Sequence, residues 1–260
     1  MIAQFALRLI CGMSLAWCLM PRRHVTDGFF RIQMLIVLGL AVLAALVTSR
    51  LWGGAAQATI AGPLGPTVTA WSFVCLAGIA YLGSFVWALG RRSPGTVCIG
   101  LIAVLSSALL GFSSWAIGPA AEKYPGLAMA TELSTSFLLG VSMVAMLLGH
   151  WYLTASGMPL APLSRLTTLL GAATMIRLVL AAVGLALAGS LLRTGDQTVM
   201  MALRWLAGLV GPLMVVVMVW RILKYHNTQS ATGVLYVGVM LTLIGELTAT
   251  LLSRELCVPV

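Results

Sequence analysis

Six side chains that can carry a charge fall inside long apolar stretches of this sequence, where charges are costly. Leaving such a group unpaired in lipid costs at least about 2.5 kcal/mol, so each one points to a partner or a function. Arginine and glutamate can form an ion pair or a proton path, and histidine can bind a metal or form hydrogen bonds. The six residues are Arg8, Glu132, His150, Arg177, Arg204 and Glu246.

Glu246 and Arg177 form the first candidate pair. Thr242, Glu246 and Thr250 are spaced by four residues, so they share one polar face of the last apolar stretch, which must turn toward protein or water. Arg177 lies about 18 Å along its helix when counted from Arg165, near or just beyond the middle of a membrane. We predict a buried Arg177–Glu246 pair, which either belongs to a substrate or proton path or clamps two helices together.

Arg8, Glu132 and Arg204 fall toward the ends of their apolar stretches, on the side assigned below to the outside of the cell. Long side chains there can extend to the membrane interface, so each residue is either interfacial or part of a polar path. Glu132 and His150 point the same way about 27 Å apart, because the interval between them makes about five helical turns. They therefore belong to opposite interfaces.

His24, His150 and His226 are all predicted to lie on the cytoplasmic side. Imidazole at that level can hydrogen-bond a quinone carbonyl, ligate haem iron or hold another metal, or it can be an idle interfacial group. We place a quinone ahead of haem, because a bundle with two haems needs four histidines within its spans and this chain has one. Trp151 and Tyr152 follow His150, and we predict that both anchor their helix in the interface.

Helices that cross a membrane must position these residues. Of the 260 residues, 60% are hydrophobic and 8% are charged, against about a quarter charged residues in a typical soluble domain. Each apolar stretch is close to the ~20 residues that a spanning helix needs. We predict an all-α polytopic membrane bundle, one domain over 1–260 with about eight spans. The predicted spans are about 4–20, 31–50, 66–90, 95–117, 127–153, 164–190, 200–223 and 230–252.

The net charge of +9 indicates orientation and does not predict a nucleic-acid partner. Basic clusters such as PRRH, RRSPG and RILKYH lie in or beside odd-numbered connections, while the even-numbered connections are nearly neutral. By the positive-inside rule the odd connections are cytoplasmic and both termini lie outside, in the cytoplasmic (inner) membrane. The basic side chains then face anionic lipid headgroups.

Glycine and proline within the spans predict how the helices meet. Small residues allow close contact between helices, because lipid tails are as apolar as a neighbouring helix. Pro212 removes a backbone hydrogen bond and predicts a kink near Gly208 or Leu209. The five cysteines form no CxxC pair, so the sequence indicates no cysteine metal site.

The last two spans and the tripeptide Gly245-Glu246-Leu247 resemble the membrane-anchor subunits of respiratory oxidoreductases, the polysulfide reductase and dimethyl sulfoxide reductase anchor family. Members have eight helices in a similar length, and their bundles exchange electrons with a quinol. The resemblance implies a redox subunit that works with other subunits. Members often carry an arginine soon after this tripeptide, whereas Thr248, Ala249 and Thr250 follow here.

Three functions remain open from the sequence. The first is a quinone-interacting subunit of a redox complex, in which His150 and Arg177 orient the quinone and Glu246 relays a proton. The second is a small-solute or ion transporter whose Arg177–Glu246 pair rearranges during transport. The third is a membrane scaffold or assembly protein without chemistry. The sequence leaves open whether the protein is itself an enzyme and whether it binds a metal.

Overall fold

A computed structural model describes residues 2–49, 65–115, 124–155, 157–188 and 195–256. Within them lie eight helices that are long and apolar enough to cross a membrane, which confirms the predicted all-α bundle. The helices are α1 Ile2–Leu19, α2 Asp27–Thr48, α3 Gly65–Ala88, α4 Arg92–Trp115, α5 Pro125–Thr154, α6 Ala161–Ala188, α7 Gly195–Lys224 and α8 Thr228–Leu256.

Every helix begins one to five residues before the predicted span. The largest differences are at α2 and α7, whose first turns hold Asp27 and Asp196. An acidic side chain in the first turn is stabilised by the unpaired backbone N–H groups of the helix start. These turns are therefore helical although they lie outside the apolar stretch by which a span is recognised.

Four short connections gather at one end of the bundle because neighbouring helices reverse direction. Their described residues are 20–26, 89–91, 155 with 157–160, and 225–227. Gly90 has a φ of 67° and His226 a φ of 56°, the left-handed conformation that lets a chain turn back within three residues. We call this end the hairpin end, and the opposite end, where α1 begins and α8 finishes, the terminal end.

Helices α1 and α5 form the centre of the bundle. In the most apolar part of each, 67% and 72% of the residues are buried, against 33 to 44% in the other six spans. The two helices run parallel, since Arg8 contacts Glu132 and Gly12 contacts Gly140. A Cβ atom on Gly12 would lie 1.7 Å from the backbone oxygen of Ser136, so this crossing requires a glycine.

Helix α8 packs antiparallel against α7 through a second glycine contact. A Cβ atom on Gly245 would lie 2.0 Å from the Cα of Gly208, so the two backbones touch. Both crossings agree with the predicted role of small residues in the spans.

The predicted irregularity of α7 is present as a π-helical turn. Leu206–Val210 is π-helical, between the α-helical segments Gly195–Trp205 and Gly211–Lys224. Pro212 has no N–H to donate, and the hydrogen-bond pattern shifts just before it. The turn includes Gly208, which was predicted as a kink position.

Candidate functional site

The carboxylate of Glu246 lies at the centre of a buried polar cluster. Its Oε1 accepts hydrogen bonds from Arg177 Nε at 3.2 Å and from Arg204 Nη1 at 3.1 Å. Its Oε2 accepts from Thr135 Oγ1 at 3.0 Å and from Arg177 Nη2 at 3.4 Å. The predicted Arg177–Glu246 pair is thus confirmed, and it also includes Arg204 and Thr135.

A second ion pair lies beside the first. Arg8 Nε donates to Glu132 Oε2 at 2.7 Å, and Arg8 Nη2 donates to Glu132 Oε1. Arg8 Nη1 donates to Thr250 Oγ1 at 3.2 Å, and this hydroxyl donates in turn to the backbone oxygen of Glu246 at 2.8 Å. Thr250 therefore links the two pairs into one structure.

We call this structure the ion network. It consists of Arg8, Glu132, Thr135, Arg177, Arg204, Glu246 and Thr250. Helices α1, α5, α6, α7 and α8 each contribute at least one member. At 1.5 Å per residue, the charged members attach between about 9 and about 17 Å from the terminal end of their helices. The network therefore lies inside the bundle, in the half nearer the terminal end.

Each ion pair lies next to a glycine contact between helices. Gly245 immediately precedes Glu246, and Gly208 follows Arg204 by one turn. On the other side, Gly12 follows Arg8 by one turn. The close approach of the backbones brings guanidinium and carboxylate groups from different helices within hydrogen-bond distance. A glycine next to an intramembrane charge is thus the sequence signal that could have identified Arg204 as a member.

The side chain of Arg204 does not extend to the interface, as its place in the span suggested that it could. The residue is 0% exposed, and its guanidinium points into the bundle toward Glu246. The π-helical turn begins two residues later, after Trp205, and π-helical turns within α-helices are frequent at functional sites. Arg8 and Glu132 also turn inward, with side chains 12% and 17% exposed. The reason in each case is an opposite charge on a neighbouring helix.

Two donors of Arg204 lack an acceptor. Its Nε and Nη2 are buried and donate to no group among the described residues, although its Nη1 contacts Glu246. A buried donor without a partner costs about 1–3 kcal/mol, and more when the group is charged. The fold therefore keeps two unsatisfied donors of a charged side chain inside the bundle, at an energetic cost.

The network carries more positive than negative charge. Among the described residues it contains three guanidinium groups and two carboxylates, which leaves one positive charge. Both oxygens of Glu246 are already occupied by donors, so neither can accept a proton from a quinol or from water without losing a protein contact. The unused hydrogen-bonding groups of the site are therefore the Nε and Nη2 donors of the positively charged Arg204, which suit an anion.

At the hairpin end, the aromatic side chains of the Leu148–Thr154 region contact other parts of the fold, and their role as interface anchors stays a prediction. Trp151 Nε1 donates to Thr26 Oγ1 at 2.8 Å, and the Trp151 ring lies edge-on to Phe29. Tyr152 is buried, and its hydroxyl donates to the backbone oxygen of Pro159 at 2.5 Å. The short connection after α5 folds back over Tyr152, which buries that side chain, while Trp151 is partly exposed.

The three histidines do not share a site. His150 is exposed and lies edge-on to Tyr236, with 6.4 Å between the ring centroids. His24 and His226 are exposed in the connections at the hairpin end. Within the described ranges, no three His, Cys, Asp or Glu side chains are grouped so that they could hold one metal ion.

Comparison of this chain with protein-family models, with curated proteins and with solved structures found no match.

Proposed function

We propose that this multi-pass membrane protein is a carrier for a small anion, which binds at the ion network. The observation that carries the proposal is the excess positive charge of that network, buried among five helices. Arg177 and Arg204 are 1% and 0% exposed, so water does little to screen them. A bound monovalent anion would bring the charge of the site to zero.

The cost of the unbalanced charge favours a ligand over a purely structural role. Breaking or leaving unpaired one member of a buried ion pair costs about 3–5 kcal/mol, and exchanging buried ion pairs for apolar side chains is often neutral or stabilising. Each ion pair in a clamp between helices needs one charge of each sign. Among the described residues the network has three arginines for two glutamates, so one positive charge goes beyond one-to-one pairing.

A carrier must also be able to expose its site to each side of the membrane in turn. Helix α7 holds Arg204 just before its π-helical turn, and that turn can change its hydrogen-bond pattern without breaking the helix. The contact between Gly208 and Gly245 has no side chain that interlocks the helices, which favours sliding there. We propose that the segment Gly195–Trp205 moves relative to α8 during transport.

The distribution of basic residues supports an orientation for this carrier. The hairpin end carries exposed Arg23, Arg91, Arg92 and Arg221 and the partly exposed Arg22, which favours the cytoplasmic side. Both termini would then lie outside, and the ion network would lie nearer the outer surface.

Uptake by proteoliposomes tests the carrier. We would reconstitute the purified protein and measure uptake of ¹⁴C-labelled pyruvate, whose charged form crosses bare lipid slowly. Wild-type protein should give saturable uptake above that of protein-free liposomes. Arg204→Gln should reduce it at least about tenfold, the effect of losing one charge-assisted contact.

Arg221→Gln is the matched control, because it removes the same charge from an exposed position on the same helix. It should leave uptake close to the wild-type rate. Wild-type uptake equal to that of protein-free liposomes would refute the carrier, and equal uptake by Arg204→Gln would refute the role of the network. A protein that neither transports nor binds a cofactor would favour the scaffold function.

A second candidate function rests on His150 and Tyr236. Both rings are accessible near the hairpin end of the bundle, where an imidazole could hydrogen-bond a quinone carbonyl beside an aromatic ring. This would make the chain a membrane subunit of a redox complex. An absorption spectrum of the purified protein before and after dithionite, with extraction of quinone, tests it. Quinone near one per protein, or a haem band, would support this function, and a colourless, quinone-free protein that purifies alone would refute it.

A further inference from the structure

Each of the three arginines in the ion network has one edge with two parallel donors that can hold a carboxylate. In a guanidinium group, Nε–H and one N–H of Nη2 lie parallel on one edge, which matches the two oxygens of a carboxylate. Arg8 holds Glu132 with its Nε and Nη2. Arg177 holds Glu246 with the same two atoms.

The corresponding edge of Arg204 holds no carboxylate of the described residues. Arg204 reaches Glu246 with Nη1, at 3.1 Å, and not with the Nε and Nη2 edge. Those two atoms are buried and have no acceptor among the described residues. The residue itself is 0% exposed, so this edge is closed to bulk solvent in this conformation.

We infer that the Nε and Nη2 edge of Arg204 is the binding site for the carboxylate group of a small monoanionic ligand. This assignment rests on the proposed carrier function and adds the class of substrate. A carboxylate supplies two oxygens in one plane, each of which can accept one of the two parallel N–H groups. Its single negative charge also balances the single positive charge of the network.

The same geometry discriminates against other anions. A halide is spherical and can satisfy the two donors only through one shared centre, so it gains less from a parallel pair. Lysine in place of arginine would keep the charge but would present an ammonium group, which binds as a point charge and lacks the planar edge. Recognition of a carboxylate at Arg204 therefore depends on the shape of the guanidinium as well as on its charge.

The position of Arg204 also indicates how the ligand gains access. Because the residue is fully buried, α7 must move before a ligand can reach the Nε and Nη2 edge. The π-helical turn Leu206–Val210 begins directly after Trp205, so a shift of its hydrogen bonds would displace Arg204 together with the segment Gly195–Trp205. The ring of Trp205 would move with that segment, so its fluorescence should respond to the movement of α7.

Ligand titration in detergent tests the assignment. We would titrate the full-length protein with sodium formate, sodium acetate and sodium chloride at constant ionic strength, and follow tryptophan fluorescence and the melting temperature. Wild-type protein should bind formate and acetate at least about tenfold more tightly than chloride, and should melt at a higher temperature with the carboxylates. This comparison needs no variant, so it does not depend on how a substituted protein folds.

Two matched substitutions locate the preference. Arg204→Lys should weaken formate binding about tenfold or more and leave chloride binding within about twofold. Arg221→Lys, which makes the same change at an exposed site on the same helix, should change neither. Equal binding of formate and chloride by the wild type, no binding of formate, or an unchanged preference in Arg204→Lys would overturn the assignment.

The two proposals can fail separately. If formate binds as expected but proteoliposomes take up no labelled pyruvate, the carrier function is wrong and the ligand assignment stands. If labelled chloride and pyruvate are taken up equally well and Arg204→Gln stops both, the carrier function stands and the carboxylate assignment is wrong.

Discussion

Replacing Glu246 by glutamine would remove the negative charge at the centre of the ion network while keeping the shape of the side chain. The wild-type carboxylate accepts hydrogen bonds from Arg177, Arg204 and Thr135. A glutamine amide presents one oxygen and one NH₂ group, so one of these donors would face another donor. The buried guanidinium groups of Arg177 and Arg204 would also lose the negative charge with which both of them pair.

The free energy of unfolding should fall substantially. Removing one partner of a buried ion pair costs about 3–5 kcal/mol. Because Arg177 and Arg204 both depend on Glu246, we expect a loss near the upper end, about 5 kcal/mol. Such a loss is a third or more of the total stability of a typical protein, about 5–15 kcal/mol. By contrast, a neutral hydrogen bond between membrane helices contributes about 0.6 kcal/mol on average and about 1.7 at most.

Reversible unfolding by SDS in mixed micelles, followed by circular dichroism, measures this difference. Glu255→Gln is the control, because it makes the same chemical change at an exposed position near the end of the same helix. It should change stability by less than about 0.5 kcal/mol. A loss for Glu246→Gln below about 1.7 kcal/mol would show that the carboxylate contributes only as an ordinary hydrogen-bond acceptor, and our account of its charge would be refuted. Adding Arg177→Met should restore only part of the loss, since Arg204 would still lack its counter-charge.

Two further predictions concern contacts between helices. Gly245→Ala should destabilise the bundle by about 1–3 kcal/mol, because its Cβ would lie 2.0 Å from the Cα of Gly208. In the same unfolding assay Gly233→Ala on α8, where a Cβ meets nothing within 4 Å, should be neutral or stabilising, and equal effects of the two would contradict the close crossing. Trp151→Phe keeps an aromatic ring but loses the hydrogen bond to Thr26, and should cost about 1 kcal/mol. A melting temperature unchanged from that of the wild type would argue against this link between α5 and α2.

The elements of the fold could be predicted from sequence because lipid imposes a simple rule on length and composition. Eight apolar stretches became eight helices, and the polar face of α8 turned inward, with Thr242 and Glu246 both buried. The Arg177–Glu246 pair was also predictable, since each residue was placed deep in a span and needed an opposite charge. Depth and helical periodicity are local properties, which a single sequence contains.

The remaining members of the site depend on which helices are neighbours, and helical periodicity does not contain that information. Arg204 has apolar neighbours in sequence, and its place in the span allowed an interfacial side chain. What turns it inward is the charge of Glu246 on α8, which the crossing of Gly208 and Gly245 brings within reach. The hydrogen-bond partner of Trp151 could not be predicted for the same reason, because nothing in its own helix indicates that Thr26 lies within reach.

An anion that enters the buried network would neutralise its excess charge. The most direct test is to record charge movement by proteoliposomes on a solid-supported membrane when sodium chloride is replaced by sodium pyruvate at constant sodium concentration. We predict a transient current with the sign of an anion entering the protein, present in wild type and in Arg221→Gln but absent in Arg204→Gln. If wild-type proteoliposomes give the same trace as protein-free liposomes, no anion enters the network and the carrier function is wrong.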